Sequence, residues 1–232
     1  MSRPHILIAT PFDGGDLRTA RVTLGWHRFV RHLEKTLGAD SLNEVVYSCD
    51  VVRARNRIVA TVIRDLKATD RVLWLDDDTF ADDFDEGART VAWMAESGEA
   101  LIAAPYTSKT TPARFVVNEL EGEKPDERGL LSVRGVGFGF TMTSVACLQA
   151  VVDACASTGS AYYDLPHPHL IANVFGQIYD AGPDGRKYLA SEDLSFCARW
   201  RALGGRVALM ARAARIVHAG SRGYTDRDVP RT

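Results

Sequence analysis

Short apolar runs alternate with longer amphipathic stretches through the first half of this chain, and that alternation constrains its fold more than any other feature. His5 to Thr10 reads as a buried strand ended by Pro11 and the turn residues Asp13-Gly14-Gly15. Ala20 to Leu37 has helical periodicity and stops at Gly38. Glu44 to Cys49 is strand-like, Arg53 to Lys67 helical and Arg71 to Leu75 strand-like. Phe84 to Glu96 is helical up to Gly98, and Ala100 to Ala104 is strand-like again. A β-α-β-α-β-α-β order implies an α/β fold with a mainly parallel sheet covered on both faces.

The pattern changes after residue 112. Arg114 to Gly139 predicts two strands around an acidic, turn-rich stretch, and Thr143 to Ala156 predicts a helix. Residues 159–186 are rich in Tyr, His, Pro and Gly and have little periodicity, which is usual for a functional or mobile segment. Ser191 to Leu203 reads as a helix closed by Gly204-Gly205, Arg215 to His218 as a last strand, and residues 221–232 as a flexible basic arm.

At 232 residues the chain is long enough for one domain with its own core, and 46% hydrophobic with 25% charged residues excludes whole-chain disorder. No apolar stretch approaches the ~18 residues of a membrane span, and the N-terminal run is too short for a signal peptide. Cys49, Cys147, Cys155 and Cys197 form no C-x-x-C pair, so buried reduced thiols and a cytoplasmic setting are expected rather than a thiolate zinc site. Gly135-Val-Gly-Phe-Gly lacks the dinucleotide-binding spacing and no P-loop sequence occurs, so those cofactor classes fall away.

The strongest chemical signal is Leu73-Trp74-Leu75-Asp76-Asp77-Asp78, where three carboxylates follow directly on an apolar strand. Ligands of open α/β sheets bind beyond the carboxyl ends of strands. A divalent cation such as Mg2+ or Mn2+ would relieve the repulsion among adjacent acids and could hold a diphosphate. The alternative is an acidic loop that continues through Glu86 as the charged start of a helix. On the Arg53 helix, Ile58, Val59, Val62, Ile63 and Leu66 share an apolar arc, and Arg53, Arg57 and Arg64 lie on the opposite, solvated side. Arg55 falls inside the apolar arc. It points either at a phosphate or carboxylate in the crevice or into a buried ion pair. On the Ser191 helix, Asp193 enters the arc of Phe196, Cys197, Trp200 and Leu203, with Glu192 at its edge. An inward carboxylate at a helix start is placed to act as a general base, although first-turn acids also serve the helix dipole.

These markers together resemble a GT-A-fold glycosyltransferase, in particular the small family-2-like enzymes often encoded by phages. The matching segments run in order: ILIATP (Ile6 to Pro11), ARN (Ala54 to Asn56), LDDD (Leu75 to Asp78), APYTSK (Ala104 to Lys109), GVGFGF (Gly135 to Phe140) and SEDLSFCARWRALGG (Ser191 to Gly205), followed by a strand-end His218. The resemblance implies a Rossmann-like, mainly parallel sheet with a small antiparallel acceptor-side sheet. It also implies one domain over residues 1–232, with a donor half (1–112), an acceptor and catalytic half (113–220) and the basic arm. It assigns Thr10, Pro11, Arg55, Asp76, Asp77, Tyr106 and Lys109 to the nucleotide-sugar, and Asp78, Asp76 and His218 to the metal. Asp193, with Glu192, would deprotonate the acceptor, giving inversion, or retention if Asp193 only positions the sugar, and Gly137, Phe138 and Arg222 would meet the acceptor.

Arg199 to Thr232 contains eight Arg and two Asp, net +6, an end suited to tracking a polyanion. Together with that basic end, the resemblance to phage-encoded enzymes implies a hydroxymethylated pyrimidine in phage-type DNA as the favoured acceptor and a UDP-sugar as donor, with a saccharide or cell-surface glycan as the alternative acceptor. Two other classes stay open, a haloacid-dehalogenase-like phosphatase built on Asp76-x-Asp78 and a non-catalytic nucleic-acid-binding module.

Overall fold

The computed structural model describes residues 4–13, 20–46, 50–110, 112–119, 124–164, 169–181, 185–219 and 223–225. In chain order its first elements are β1 (Ile6–Asp13), α1 (Ala20–Leu37), β2 (Asp40–Val46), α2 (Val51–Asp65), β3 (Arg71–Leu75), β4 (Thr79–Ala81), α3 (Phe84–Glu96) and β5 (Leu101–Ala103). Then come β6 (Val117–Glu119), β7 (Leu130–Val136), β8 (Phe140–Ser144), α4 (Val145–Ser157), β9 (Ala161–Tyr163), β10 (Leu170–Ala172), β11 (Tyr179–Ala181) and β12 (Lys187–Leu189). The last are α5 (Glu192–Ala202), β13 (Ala208–Met210), β14 (Ile216–Ala219) and β15 (Gly223–Tyr224).

Eight strands form the central sheet in the order β2-β1-β3-β8-β5-β13-β7-β6. β1 is parallel to β2 and β3, and β13 to β5, while β8 is antiparallel to β3 and β5, and β7 to β13 and β6. Six strands thus run one way and β7 and β8 the other, so the expected α/β class with a mostly one-directional sheet is what the chain adopts. Alternate residues of a strand face opposite sides, and both sides here are covered. Ile6, Ile8, Leu73 and Leu75 pack with Trp26, Phe29 and Leu33 of α1 and Val91 and Met94 of α3. Leu7, Ala9, Val72 and Trp74 pack with Ile58 and Val62 of α2, Leu148 and Val151 of α4 and Phe196 of α5. That is why these strands read as unbroken apolar runs.

Several boundaries differ from expectation. β1 continues through Pro11 to Asp13, because beyond Ala9 it pairs only with β2 and a proline without a donor is tolerated on the unpaired side. β8 and β13 are unforeseen buried strands. In β8 the hydroxyls of Thr141 and Thr143 broke the apolar run, yet both are satisfied: Thr141 donates to the Gly137 carbonyl (2.7 Å) and Thr143 accepts from the Trp74 indole (3.0 Å). The weakly periodic segment 159–186 contains β9, antiparallel to β10, and β11, antiparallel to β12 just beyond it. β14 leaves the main sheet and pairs with β4 and β15. No described helix is long and apolar enough to cross a membrane. Cys147, Cys155 and Cys197 are free and buried as expected, and burial pushes the Cys197 thiol up to about 12. Cys49 lies outside the described residues.

Candidate active site

Arg55, Asp76, Glu192 and Asp193 meet where β3 gives way to Asp76-Asp77-Asp78. Arg55 is at the centre. It sits near the start of α2, which Asp50 caps by accepting from the Arg53 amide (3.0 Å), and only 1% of it is exposed. Its guanidinium donates to Asp76 (3.0 Å), Glu192 (3.1 Å) and Asp193, and lies over the rings of Phe138 (5.7 Å) and Phe175 (5.6 Å). The two readings of Arg55 left open by sequence therefore converge, since it is both buried in ion pairs and at the crevice. Asn56 beside it is fully buried, accepts from the Phe175 amide (3.0 Å) and donates to Asn173 (3.0 Å) and the Tyr162 hydroxyl (3.2 Å). It thus fixes the turn that delivers Phe175 to Arg55.

Ser191 caps α5 as predicted, its hydroxyl accepting from the Leu194 amide (3.4 Å), so Glu192 and Asp193 occupy the first turn. Asp193 accepts from Arg55 on one oxygen and from the Phe138 amide on the other (3.0 Å). Burial, reinforced by Glu192 and Asp76, outweighs Arg55 and pushes the Asp193 carboxyl up to about 7. Asp193 also lies on the wall of a cleft of about 520 Å³ lined by Ser108, Thr110, Arg114, Phe115, Asn118 and Gly137. A carboxyl near neutrality on the wall of an open cleft can take a proton from a bound hydroxyl.

The glycines of Gly135-Val-Gly-Phe-Gly serve packing. A Cβ on Gly137 would stand 2.2 Å from the Tyr106 hydroxyl, and one on Gly139 would stand 2.8 Å from the same ring. Tyr106 is buried against this turn between β7 and β8, accepts from the Gly139 amide (3.0 Å) and meets the His218 ring edge-on at 5.3 Å. Phe138, expected at the acceptor, is fully buried beneath Arg55 and offers only its amide, to Asp193.

Asp78 and His218 come together through pairing distant in sequence. β4 and β14 are antiparallel with His218 opposite Thr79, and the Ala219 amide donates to the Asp78 carbonyl (2.7 Å). His218 Nδ1 donates to the Thr107 carbonyl (2.6 Å), leaving the Nε2 lone pair facing Asp78 Oδ1 at 3.6 Å. Burial lowers the His218 pKa and favours the neutral ring. Asp78 itself is 4% exposed, with Lys109 Nζ on Oδ2 and the Thr79 hydroxyl donating to Oδ1 (3.3 Å). Asp76 pairs with Arg55, and no group of three metal-ligating side chains occurs among the described residues. Asp78 and His218 could hold a hard cation only if other ligands, such as water or oxygens of a bound molecule, completed its shell. An imidazole whose second nitrogen donates to a backbone carbonyl is likewise oriented as a metal ligand is.

No family model matches the chain, and no curated protein matches it in sequence. Its fold is similar to that of a solved structure of GalNAc-T7 with UDP, GalNAc and Mn2+. The two are 9% identical at a TM-score of 0.44, over 90% of this chain and 42% of the other, so this chain spans less than half the length of that protein.

Of the other expected donor residues, Pro11 and Asp77 are buried, and Thr10 is fully buried with a hydroxyl that has no hydrogen-bond partner among the described residues. Arg222 and most of the basic arm lie outside the described residues. Arg57 is not solvated as the helical wheel suggested, because Asp164, after β9, accepts from both Arg53 and Arg57. Leu203 is exposed at the end of α5 rather than on its buried arc. Phe175, Thr107 and Asp164 had no distinguishing signal, since two of them lie in aperiodic stretches and the third contributes only a carbonyl.

Proposed function

We propose that this chain is a GT-A-type glycosyltransferase that moves a hexose from a nucleotide-sugar, UDP-linked, to an acceptor hydroxyl with inversion. One observation carries the reading. Arg55 ties the carboxylate at the end of β3 to a near-neutral carboxyl on the wall of the cleft, so a donor-side acid and an acceptor-side base share one rigid mount.

Asp193 accepts the acceptor's hydroxyl proton while that oxygen bonds to the anomeric carbon. The bond from the anomeric carbon to the diphosphate oxygen breaks, and the nucleoside diphosphate leaves with the electron pair. The Phe138 amide and Arg55 hold the Asp193 carboxylate in place, and Glu192 supports its basicity by its negative charge. Asp78 and His218 are the residues that would hold a divalent cation, whose charge would stabilise the leaving diphosphate. Asp76 and Thr10, whose buried hydroxyl has no hydrogen-bond partner among the described residues, take the nucleoside side.

The favoured acceptor is a 5-hydroxymethylpyrimidine in DNA. A cleft of about 520 Å³ has room for a pyrimidine, which would leave the stack to reach the donor. A saccharide is the second reading, favoured by the hydroxyl and amide groups of Ser108, Thr110 and Asn118 around the exposed Phe115 ring. The phosphatase reading needs Asp76 as a nucleophile, a role at odds with its pairing to Arg55. A mass-spectrometric screen of nucleotide-sugars against hydroxymethylcytosine DNA, hydroxymethyluracil DNA and simple glycans, with and without Mn2+, tests the reading. Metal-stimulated transfer to one acceptor class is expected. Release of phosphate from phosphomonoesters without any sugar transfer would overturn it.

A further inference from the structure

We infer that Lys109 is a resident counter-cation for Asp78, exchanged for the divalent metal as a nucleoside diphosphate binds. The inference rests on reading Asp78 and His218 as the cation pair, and it is independent of whether sugar is transferred. Asp78 cannot leave the interior. Its carbonyl is held by the Ala219 amide at 2.7 Å, β4 follows at once, and its side chain is 6% exposed. A buried carboxylate left without a cation is strongly destabilising, so Asp78 needs a positive partner at all times.

Lys109 supplies that charge on Oδ2, yet it is not buried with its partner: its side chain is 36% exposed. It sits on a loop closed by the Thr107–Phe115 bridge and by the Ser108 amide on the Arg114 carbonyl (2.7 Å). The same loop contributes the Thr107 carbonyl that orients His218. The loop base can therefore keep His218 in its metal-ready tautomer while the four-carbon lysine stem alone swings away. An ammonium and a divalent ion on one carboxylate repel each other, so the two occupy Asp78 alternately. The displaced ammonium finds its compensation on the diphosphate that arrives with the metal. Metal and nucleotide then bind with positive coupling, and by linkage each tightens the other equally.

Mn2+ binding, followed by the EPR signal of the free ion, would be titrated without and with a panel of nucleoside diphosphates (UDP, GDP, TDP, ADP). The proteins would be the wild-type chain, Lys109→Met, Lys109→Arg and Asp78→Asn. Without nucleotide, Lys109→Met is expected to bind Mn2+ at least about tenfold more tightly than wild type, Lys109→Arg to resemble wild type and Asp78→Asn to lose the site. At least one diphosphate should tighten Mn2+ binding about tenfold in wild type and far less in Lys109→Met. Equal or weaker Mn2+ binding by Lys109→Met overturns the inference. So does the absence of any metal–nucleotide coupling in wild type, a result that needs no variant to fold.

Discussion

Arg55 faces three carboxylates with one positive charge, and the physics of the site follows from that imbalance. One positive charge cannot balance all three, and burial beside Glu192 and Asp76 raises the Asp193 carboxyl despite Arg55. If Asp193 is the base, transfer should rise with pH and level off above about 7. Asp193→Asn should leave nucleotide binding intact and lower turnover by about 10²–10⁴-fold, measured with saturating donor. The stability consequence has the opposite sign. A carboxyl raised from 3.8 to about 7 holds in the folded state a proton that the unfolded chain has released, so its contribution to stability falls as pH rises through that window. Urea midpoints of Asp193→Asn between pH 4 and 7 should accordingly decline less than those of wild type. A parallel decline would remove Asp193 as the titrating group.

At the scale of elements, the crossing of Tyr106 over the run between β7 and β8 shows how one segment shapes two parts of the site. The glycines at 137 and 139 let the ring approach this turn, and the ring in turn braces His218. Gly137→Ala would put a methyl carbon 2.2 Å from the Tyr106 hydroxyl and 2.6 Å from Val116. The ring must shift, with an expected loss of about 1–3 kcal/mol in urea unfolding. A loss under about 0.5 kcal/mol would mean that the strand gives way instead. The Gly-x-Gly-x-Gly pattern was visible in sequence, but its purpose was not, because nothing local says which ring will lie across it.

At the scale of the molecule, Asp164 ties the segment after β9 to α2 through Arg53 and Arg57 and so steadies the helix that carries Arg55. Asp164 is 4% exposed, and the two guanidinium groups hold its carboxyl far below the usual carboxylate range. A depressed carboxyl contributes stability above its unfolded pKa and loses it as pH falls toward the folded value. Asp164→Asn should therefore cost about 3 kcal/mol at pH 7 by urea unfolding, and it should narrow the gap to wild type on acidification below pH ~4. A variant equal to wild type at pH 7 would show that the clamp is dispensable.

Much of this molecule was legible from local pattern alone. α1, β3 and α3 have the predicted bounds, Ser191 caps its helix, and Arg55 and Asp193 lie inward as the helical wheels require. Periodicity, capping and burial are local properties, and each acts over a turn or two of chain. What the sequence could not determine is who faces whom. The antiparallel β8 enters between β3 and β5, and the register of β14 against β4 sets His218 beside Asp78, neither of which any short window encodes. The choice that turned Asp76 to Arg55 and left Asp78 with Lys109 was likewise made by tertiary structure. Adjacent carboxylates are alike in sequence, and only the cations brought near them by the fold make them different.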